Sequence, residues 1–352
     1  MKTGQSQTII QKMLTTIPPA FSDARASAIA ADLYGISGNV RSLVSERDQN
    51  FQLTAQDGLR YTLKISNHAE QQEVIDFQNQ ALLHVAKQDA SLPLPRVIPT
   101  IEGQLHGRVE QAGNTYFVRV LSWLEGSVIH DATVGPGLAR QMGQLLARLD
   151  VALRGYDHPG SNPPSLWDMK RAESLADLVI HIEEPDLRRL IGRTLDTFII
   201  EVKPELEPLR TQVIHNDLNP GNVLLDKARP DQIAGLIDFG DMTRSPLIIE
   251  LAVAAAYQLS EGIDPLAGAL PLIAGYHAVE PLLDTEMELL TDLIRTRLIT
   301  SLLIGSYRAT LFPENREYLL ISQRSARNFL INLKNLPAND ALARVREACH
   351  SA

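Results

Sequence analysis

The stretch that constrains this chain most is residues 213–241. It opens Val213-Ile214-His215-Asn216-Asp217-Leu218-Asn219-Pro220-Gly221-Asn222-Val223-Leu224-Leu225 and, after a short turn, closes Gly235-Leu236-Ile237-Asp238-Phe239-Gly240-Asp241. Two apolar, strand-like runs alternate with two clusters of carboxylates and amides, in the patterns H-x-D-x-x-x-x-N and D-F-G. Asp238 and Asn222 offer a carboxylate and an amide carbonyl, the hard oxygens that Mg²⁺ prefers. Asp217, on the same loop as Asn222, can accept a hydrogen bond from a hydroxyl while Asn222 reaches a metal. His215 reads as a hydrogen-bonding buttress of that loop.

Upstream, residues 40–65 read as three antiparallel strands. A polar turn, Ser45-Glu46-Arg47-Asp48-Gln49-Asn50, joins the first two, and an Asp57-Gly58 hairpin turn joins the second and third. Lys64 lies on the third strand, with Leu63 and Ile65 facing the other way. A lone strand lysine is ordinarily a solvated edge residue; the carboxylate cluster downstream is what gives this one weight. Helices are expected over 22–33, capped at Ser22 or Asp23, and over 69–88. Arg96–Pro99 and Tyr116–Leu121 read as strands, and Ser122-Trp123-Leu124-Glu125-Gly126 breaks the second.

From about residue 127 helical periodicity takes over. It runs through Pro136–Leu153, Trp167–Ile180, Pro185–Glu207, Leu247–Ser260, Pro265–His277, Asp284–Thr310 and Tyr318–Leu333. Residues 213–238 form the only strand-like island in this half. The expected architecture is α+β and two-lobed: a small antiparallel β-rich lobe over 1–122 and a mainly helical lobe over 123–352.

These residues together resemble the aminoglycoside phosphotransferase and choline-kinase-like family, a small-molecule branch of the protein-kinase-like fold. The resemblance rests on His215–Leu224, Leu236–Asp241, Lys64 and the hinge-like Trp123-Leu124-Glu125-Gly126, and spans roughly 25–330. Within the family the chain looks most similar to the hydroxylysine kinase subgroup, through Asp48–Phe51, Leu63-Lys64-Ile65, Gln78-Asn79, Leu166-Trp167-Asp168, Ile237–Met242 and Arg295–Leu298. The resemblance implies that Asp217 orients the hydroxyl nucleophile and that Asn222 and Asp238 hold Mg²⁺. It implies that Lys64 holds the α- and β-phosphates of ATP or GTP, tethered by Glu73 or Gln78 on the following helix. Asn50, on the polar turn, would cover the phosphates, and Ser122 and Leu124 would face the base at the hinge.

Two departures narrow the expectation. The phosphate-covering turn has no glycine, unlike the G-x-G-x-x-G loop of protein kinases. After D-F-G the chain runs at once into Thr243-Arg244-Ser245-Pro246 and a helix, with no A-P-E segment. A small hydroxylated amine, amino acid or aminoglycoside therefore fits better than a protein acceptor, although a Ser/Thr protein kinase and a nucleotide-binding pseudokinase share the fold. Candidates to hold the acceptor are Asp241, Trp167, Asp168, Arg295, Arg297 and Arg324, with an Arg suited to a carboxylate and a Trp to an ammonium group.

The formal net charge of −9 disfavours a nucleic acid as partner. No apolar run is long enough for a bilayer, and there is no secretory leader pattern, so a cytoplasmic protein with no membrane partner is expected. The nine histidines are scattered, against a zinc site. Cys349, the lone cysteine, excludes an internal disulfide and sits near the C-terminus, where helices fray. Self-association as a homodimer is left open.

Overall fold

In the computed structural model, residues 18–45, 47–129, 134–321 and 323–351 are described. Glu46, in the turn expected to cover phosphates, lies outside them. The chain divides into two units. The first takes the described residues up to Glu125 with 158–163 and 235–237; the second takes 126–157, 164–234 and 238 onward. Among the described residues no helix is long and apolar enough to cross a membrane.

The first unit opens with α1 (Asp23–Tyr34). Ser22 Oγ accepts the Arg25 N–H at its start, and Gly35 ends it at φ 67°, a left-handed conformation that glycine reaches without strain. Next come β1 (Gly38–Leu43), β2 (Gln49–Ala55), β3 (Arg60–Ile65), α2 (Gln72–Gln88), β4 (Val97–Ile98), β5 (Gly107–Gln111) and β6 (Asn114–Ser122). The sheet order is β1-β2-β3-β6-β4, with β5 also on β6. Phe51, Leu53, Leu63, Ile65, Val118 and Val120 form one buried cluster with Ala26, Ile29, Ala30 and Tyr34 of α1. The Tyr34 hydroxyl donates to the Val118 carbonyl at 2.7 Å, fixing α1 to the sheet. Strand alternation turns Lys64 away from the face of Leu63 and Ile65. β5 has no counterpart in the strands expected from sequence, because Val109 is its only large apolar residue.

The second unit contains β7 (Ser127–Val128), α3 (Pro136–Leu153), a 3₁₀ helix (Met169–His181) and α4 (Pro185–Thr197). A π turn (Phe198–Val202) and one further helical turn (Lys203–Leu206) continue from α4. After these come β8 (Thr211–Ile214), β9 (Val223–Leu225), β10 (Ile233–Leu236, its last two residues counted with the first unit), β11 (Thr243–Pro246) and α5 (Leu247–Ala256). The chain closes with α6 (Ala269–His277), α7 (Asp284–Leu311), α8 (Arg316–Ile321), α9 (Arg324–Lys334) and α10 (Ala338–His350).

Several expectations are corrected. The helix read over Trp167–Ile180 is a 3₁₀ helix over Met169–His181, with Arg171 at φ −116° and ψ 21° interrupting it. The helix read over Pro185–Glu207 widens into a π turn just before Pro204, whose missing N–H breaks the regular ladder. The C-terminal half holds strand outside the expected island of 213–238: β7, which pairs with β9, and β11, which pairs with β8. The end of the chain is helical. Ala341, Val345 and Cys349 form the buried stripe of α10, so Cys349 is packed rather than frayed, and burial pushes its thiol up to about 11.

α3 and α6 cross at very close range. A Cβ on Gly143 would stand 2.0 Å from the Leu272 carbonyl oxygen, and one on Gly275 2.1 Å from that of Arg140. Gly143→Ala must therefore push two helices apart. It is expected to destabilise the protein by about 1–3 kcal/mol, read as a lower urea midpoint at unchanged slope.

Candidate active site

β8 and β11 form an antiparallel ribbon with Ile214 opposite Thr243. His215 follows Ile214 and Met242 precedes Thr243, so loops 215–222 and 237–242 leave the same end of the ribbon. The Asn216 side-chain amide donates to the Asp241 carbonyl at 3.2 Å, tying the two loops together. Each loop holds one non-glycine residue in left-handed conformation, Asn216 at φ 66° and Asp238 at φ 62°. Asn and Asp tolerate that region best, and such strain persists only where the surroundings enforce it.

On loop 215–222 the enforcing group is Glu250. It is the one charged residue of α5, all ten residues of which are buried. Its carboxylate accepts the backbone N–H of His215 and, at 3.1 Å from each oxygen, that of Asn216. Burial pushes its pKa up to about 7, against the pull of those two N–H donors. His215, fully buried, stacks edge-to-face on Phe239 at 4.8 Å, and its Nδ1 accepts the Asp217 N–H at 3.3 Å.

Between about pH 4.5 and 7 the unfolded chain loses the Glu250 proton while the folded chain keeps it. The folded state then binds more protons, so stability falls as pH rises through this window. Glu250→Gln is expected to flatten that slope in denaturant titrations run across it. At pH 5 the protonated carboxyl still has two oxygens able to accept the backbone N–H groups, whereas the Gln amide nitrogen cannot accept, so the variant should be less stable than the parent there.

Asp217 is held on one side only. Its Oδ2 accepts the side-chain amides of Asn219 and Asn222, each at 2.8 Å. Its Oδ1 faces Arg297, whose Nη2 is 3.6 Å away. Burial raises the Asp217 pKa, Arg297 and Asn219 oppose the rise, and the nearby Asp238 carboxylate adds to it. With its amide nitrogen on Asp217, Asn222 has its carbonyl oxygen left for another partner. Two neighbouring carboxylates and one amide oxygen form a donor set that fits a hard divalent cation, whose charge would relieve their repulsion. Among the described residues no group of three or more His, Cys, Asp or Glu side chains forms a cluster suited to a metal, so such a cation needs oxygens from a ligand or water.

The acceptor candidates separate sharply. Residues 295 and 297 stand about 200° apart on a helix. Arg295 turns away from Asp217: it pairs with Asp292 at 2.7 Å and donates to the Leu333 and Leu336 carbonyls at 3.0 and 3.2 Å, tying α7 to α9. Arg324 lines a separate cavity of about 240 Å³ with His181, Glu183 and Leu302. Asp168 is buried and caps the 3₁₀ helix, accepting the Lys170 N–H at 3.2 Å and standing 3.4 Å from Arg171 Nε. Arg295 and Asp168 are engaged in ties within the fold, and Arg324 is exposed at that separate cavity. Trp167 and Arg297 come together instead, the guanidinium lying 4.6 Å from the indole centroid. Asp241 contributes through its field on Arg297.

In the first unit, Lys64 is 8% exposed and its Nζ lies 3.9 Å from Asp48 Oδ2. Asp48 Oδ1 accepts the Asn67 N–H at 3.1 Å, and Asn67 Nδ2 donates to the Arg47 carbonyl at 3.1 Å, which folds the polar turn back over the end of β3. Asn50 belongs to β2 rather than the turn, in register opposite Lys64. On α2, Gln78 is buried and Glu73 exposed. The Ser122 N–H and hydroxyl are both bonded to the Arg96 backbone, and the Trp123 N–H donates to Arg60. Leu124 is half-buried beyond them.

Sequence reasoning passed over Glu250 and Tyr257. Glu250 did leave a signal, a lone carboxylate inside the apolar run Leu247–Ala256. Tyr257 left none.

A small antiparallel sheet unit, a helical unit, and a carboxylate–amide loop beside a D-F-G loop define a protein-kinase-like phosphotransferase. Residues 40–283 match the APH phosphotransferase enzyme family, and the chain belongs to that family. It is similar to the hydroxylysine kinase of Danio rerio, 30% identical over 331 residues that cover 90% of this chain and 93% of that protein. It is also similar to a homoserine kinase of Rhizobium rhizogenes, 31% identical over 225 residues, 60% of this chain and 62% of that one. Among solved structures it resembles an amicoumacin kinase bound to AMP-PNP, Ca²⁺ and Ami, with a TM-score of 0.65 at 16% identity, over 86% of this chain and 94% of that one. The chain is a small-molecule kinase with a two-lobed α+β fold.

Proposed function

We propose that this kinase moves the γ-phosphate of ATP or GTP to the hydroxyl of a small hydroxylated amino acid of the hydroxylysine or homoserine kind. The observation that carries this reading is the one-sided setting of Asp217: Oδ2 is fixed by Asn219 and Asn222, and Oδ1 faces a buried guanidinium. A hydroxyl hydrogen-bonded to such a carboxylate is aimed rather than merely bound. Asn222 and Asp238 would hold Mg²⁺, which when bound neutralises charge on the phosphates. Lys64, pre-positioned by Asp48, would hold the α- and β-phosphates, with Asn50 beside it and Gln78 the buried candidate on α2. Ser122, its own polar groups engaged, would shape the base pocket while Leu124 supplies the backbone edge. The names of the hydroxylysine and homoserine kinases support a hydroxylated amino acid as acceptor.

The test is ADP or GDP release with Mg²⁺ against a panel of 5-hydroxylysine, homoserine, amino alcohols, sugars and aminoglycosides. The reading expects the hydroxylated amino acids to give the highest kcat/KM. A preference for sugars or aminoglycosides over every amino acid would overturn it.

A further inference from the structure

The Arg297 guanidinium is 3% exposed, yet its Nε and Nη1 carry N–H groups with no acceptor among the described residues. Nη2 gives one N–H to the Tyr257 hydroxyl at 2.9 Å. Asp217 Oδ1, at 3.6 Å, attracts it without a hydrogen bond. The rings of Trp167 and Tyr257 lie 4.6 and 5.6 Å from the guanidinium carbon. Such rings satisfy the charge in part but not the N–H groups, which bond in the guanidinium plane. A guanidinium withdrawn from water with open donors is costly unless an anion completes it. The second N–H of Nη2, together with that of Nε or of Nη1, forms the two-donor fork that matches a carboxylate.

We infer that Arg297 is the specificity-determining residue that binds the α-carboxylate of the acceptor amino acid, with Trp167 and Tyr257 holding its guanidinium in place. The inference rests on the functional reading above and adds the group that separates hydroxylated amino acids from amino alcohols. A hydroxyl on Asp217 and a carboxylate on Arg297 would lie roughly 5–7 Å apart. That spacing suits a hydroxyl on the γ- or δ-carbon of an amino acid and is too long for serine.

The experiment compares 5-hydroxylysine with its α-carboxamide, which keeps the hydroxyl and both amines. The parent enzyme should favour the acid by about 100-fold or more in kcat/KM. Arg297→Lys keeps the charge opposite Asp217 and loses the fork. It should raise KM for the acid, leave KM for ATP unchanged, and reduce the preference at least tenfold. A second readout needs no Arg297 variant. In a Trp123→Phe background Trp167 is the only tryptophan, and its emission should respond to the acid in the presence of ADP at concentrations where the carboxamide gives no change. Equal turnover of acid and carboxamide by the parent overturns the inference while leaving the functional reading intact. So does a KM effect of Arg297→Lys confined to ATP, which would place the γ-phosphate on this residue. Turnover of no hydroxylated amino acid at all removes the functional reading, and the inference with it.

Discussion

Asp217→Asn is expected to lower kcat by about 10³-fold with little change in the KM for nucleotide. On the proposed reading this carboxylate accepts the hydroxyl's hydrogen bond, and aiming plus proton acceptance is worth about 10²–10⁴ in rate. In the variant the new amide keeps one oxygen for Asn219 and Asn222, so the loop conformation should survive. Its NH₂ then faces Arg297, and the buried guanidinium loses the negative charge now 3.6 Å away. That loss is expected to destabilise the protein by about 3 kcal/mol. Activity must therefore be read beside a circular dichroism melt: a folded, inactive variant supports the assignment, and a folded variant with near-parental kcat refutes it. Because burial raises the Asp217 pKa, the parental kcat/KM should also begin to fall at a pH above the usual carboxylate range as the solution is acidified.

Asp238→Asn carries the second large effect, and the signature differs. Asp238 bonds the Gly240 N–H at 3.1 Å, which keeps its loop in shape, and an Asn side-chain oxygen can do the same. What the substitution removes is a negative hard ligand. Mg²⁺ affinity should fall, so the Mg²⁺ concentration for half-maximal rate should rise at least tenfold and kcat at saturating Mg²⁺ should fall about 10²–10³-fold. Removing Asp238 also relieves its repulsion of Asp217, so the acid limb of the pH profile should move to lower pH. An unchanged Mg²⁺ requirement would count against Asp238 as a ligand.

The kinase-like fold was legible because its loops carry short, ordered chemical patterns between strands. Asp217, Asn222 and Asp238 stand out in those patterns, and the roles proposed for them come from the family resemblance. The strands β1 to β3 followed from alternation and turn residues. What escaped had physical reasons. β7 is two residues long, and β5 has one large apolar side chain, so neither shows a period. The π turn before Pro204 follows from a single missing donor. On α7, Arg295 and Arg297 are indistinguishable by type; only helical phase against Ile294 and Leu298, both buried, separates the structural tie from the residue beside Asp217. Asp168 and Trp167 are adjacent in sequence yet do different work, one capping a helix and one lying against a guanidinium.

Direct phosphoryl transfer to a small-molecule hydroxyl leaves a distinct product. Its most direct measurement follows γ-labelled ATP through incubation with Mg²⁺, 5-hydroxylysine and a casein-like protein together. The label should leave ATP for a single new phosphomonoester of 5-hydroxylysine, seen by ³¹P NMR, and Asp217→Asn should abolish it. Label found on the protein, or only as orthophosphate, would contradict that transfer.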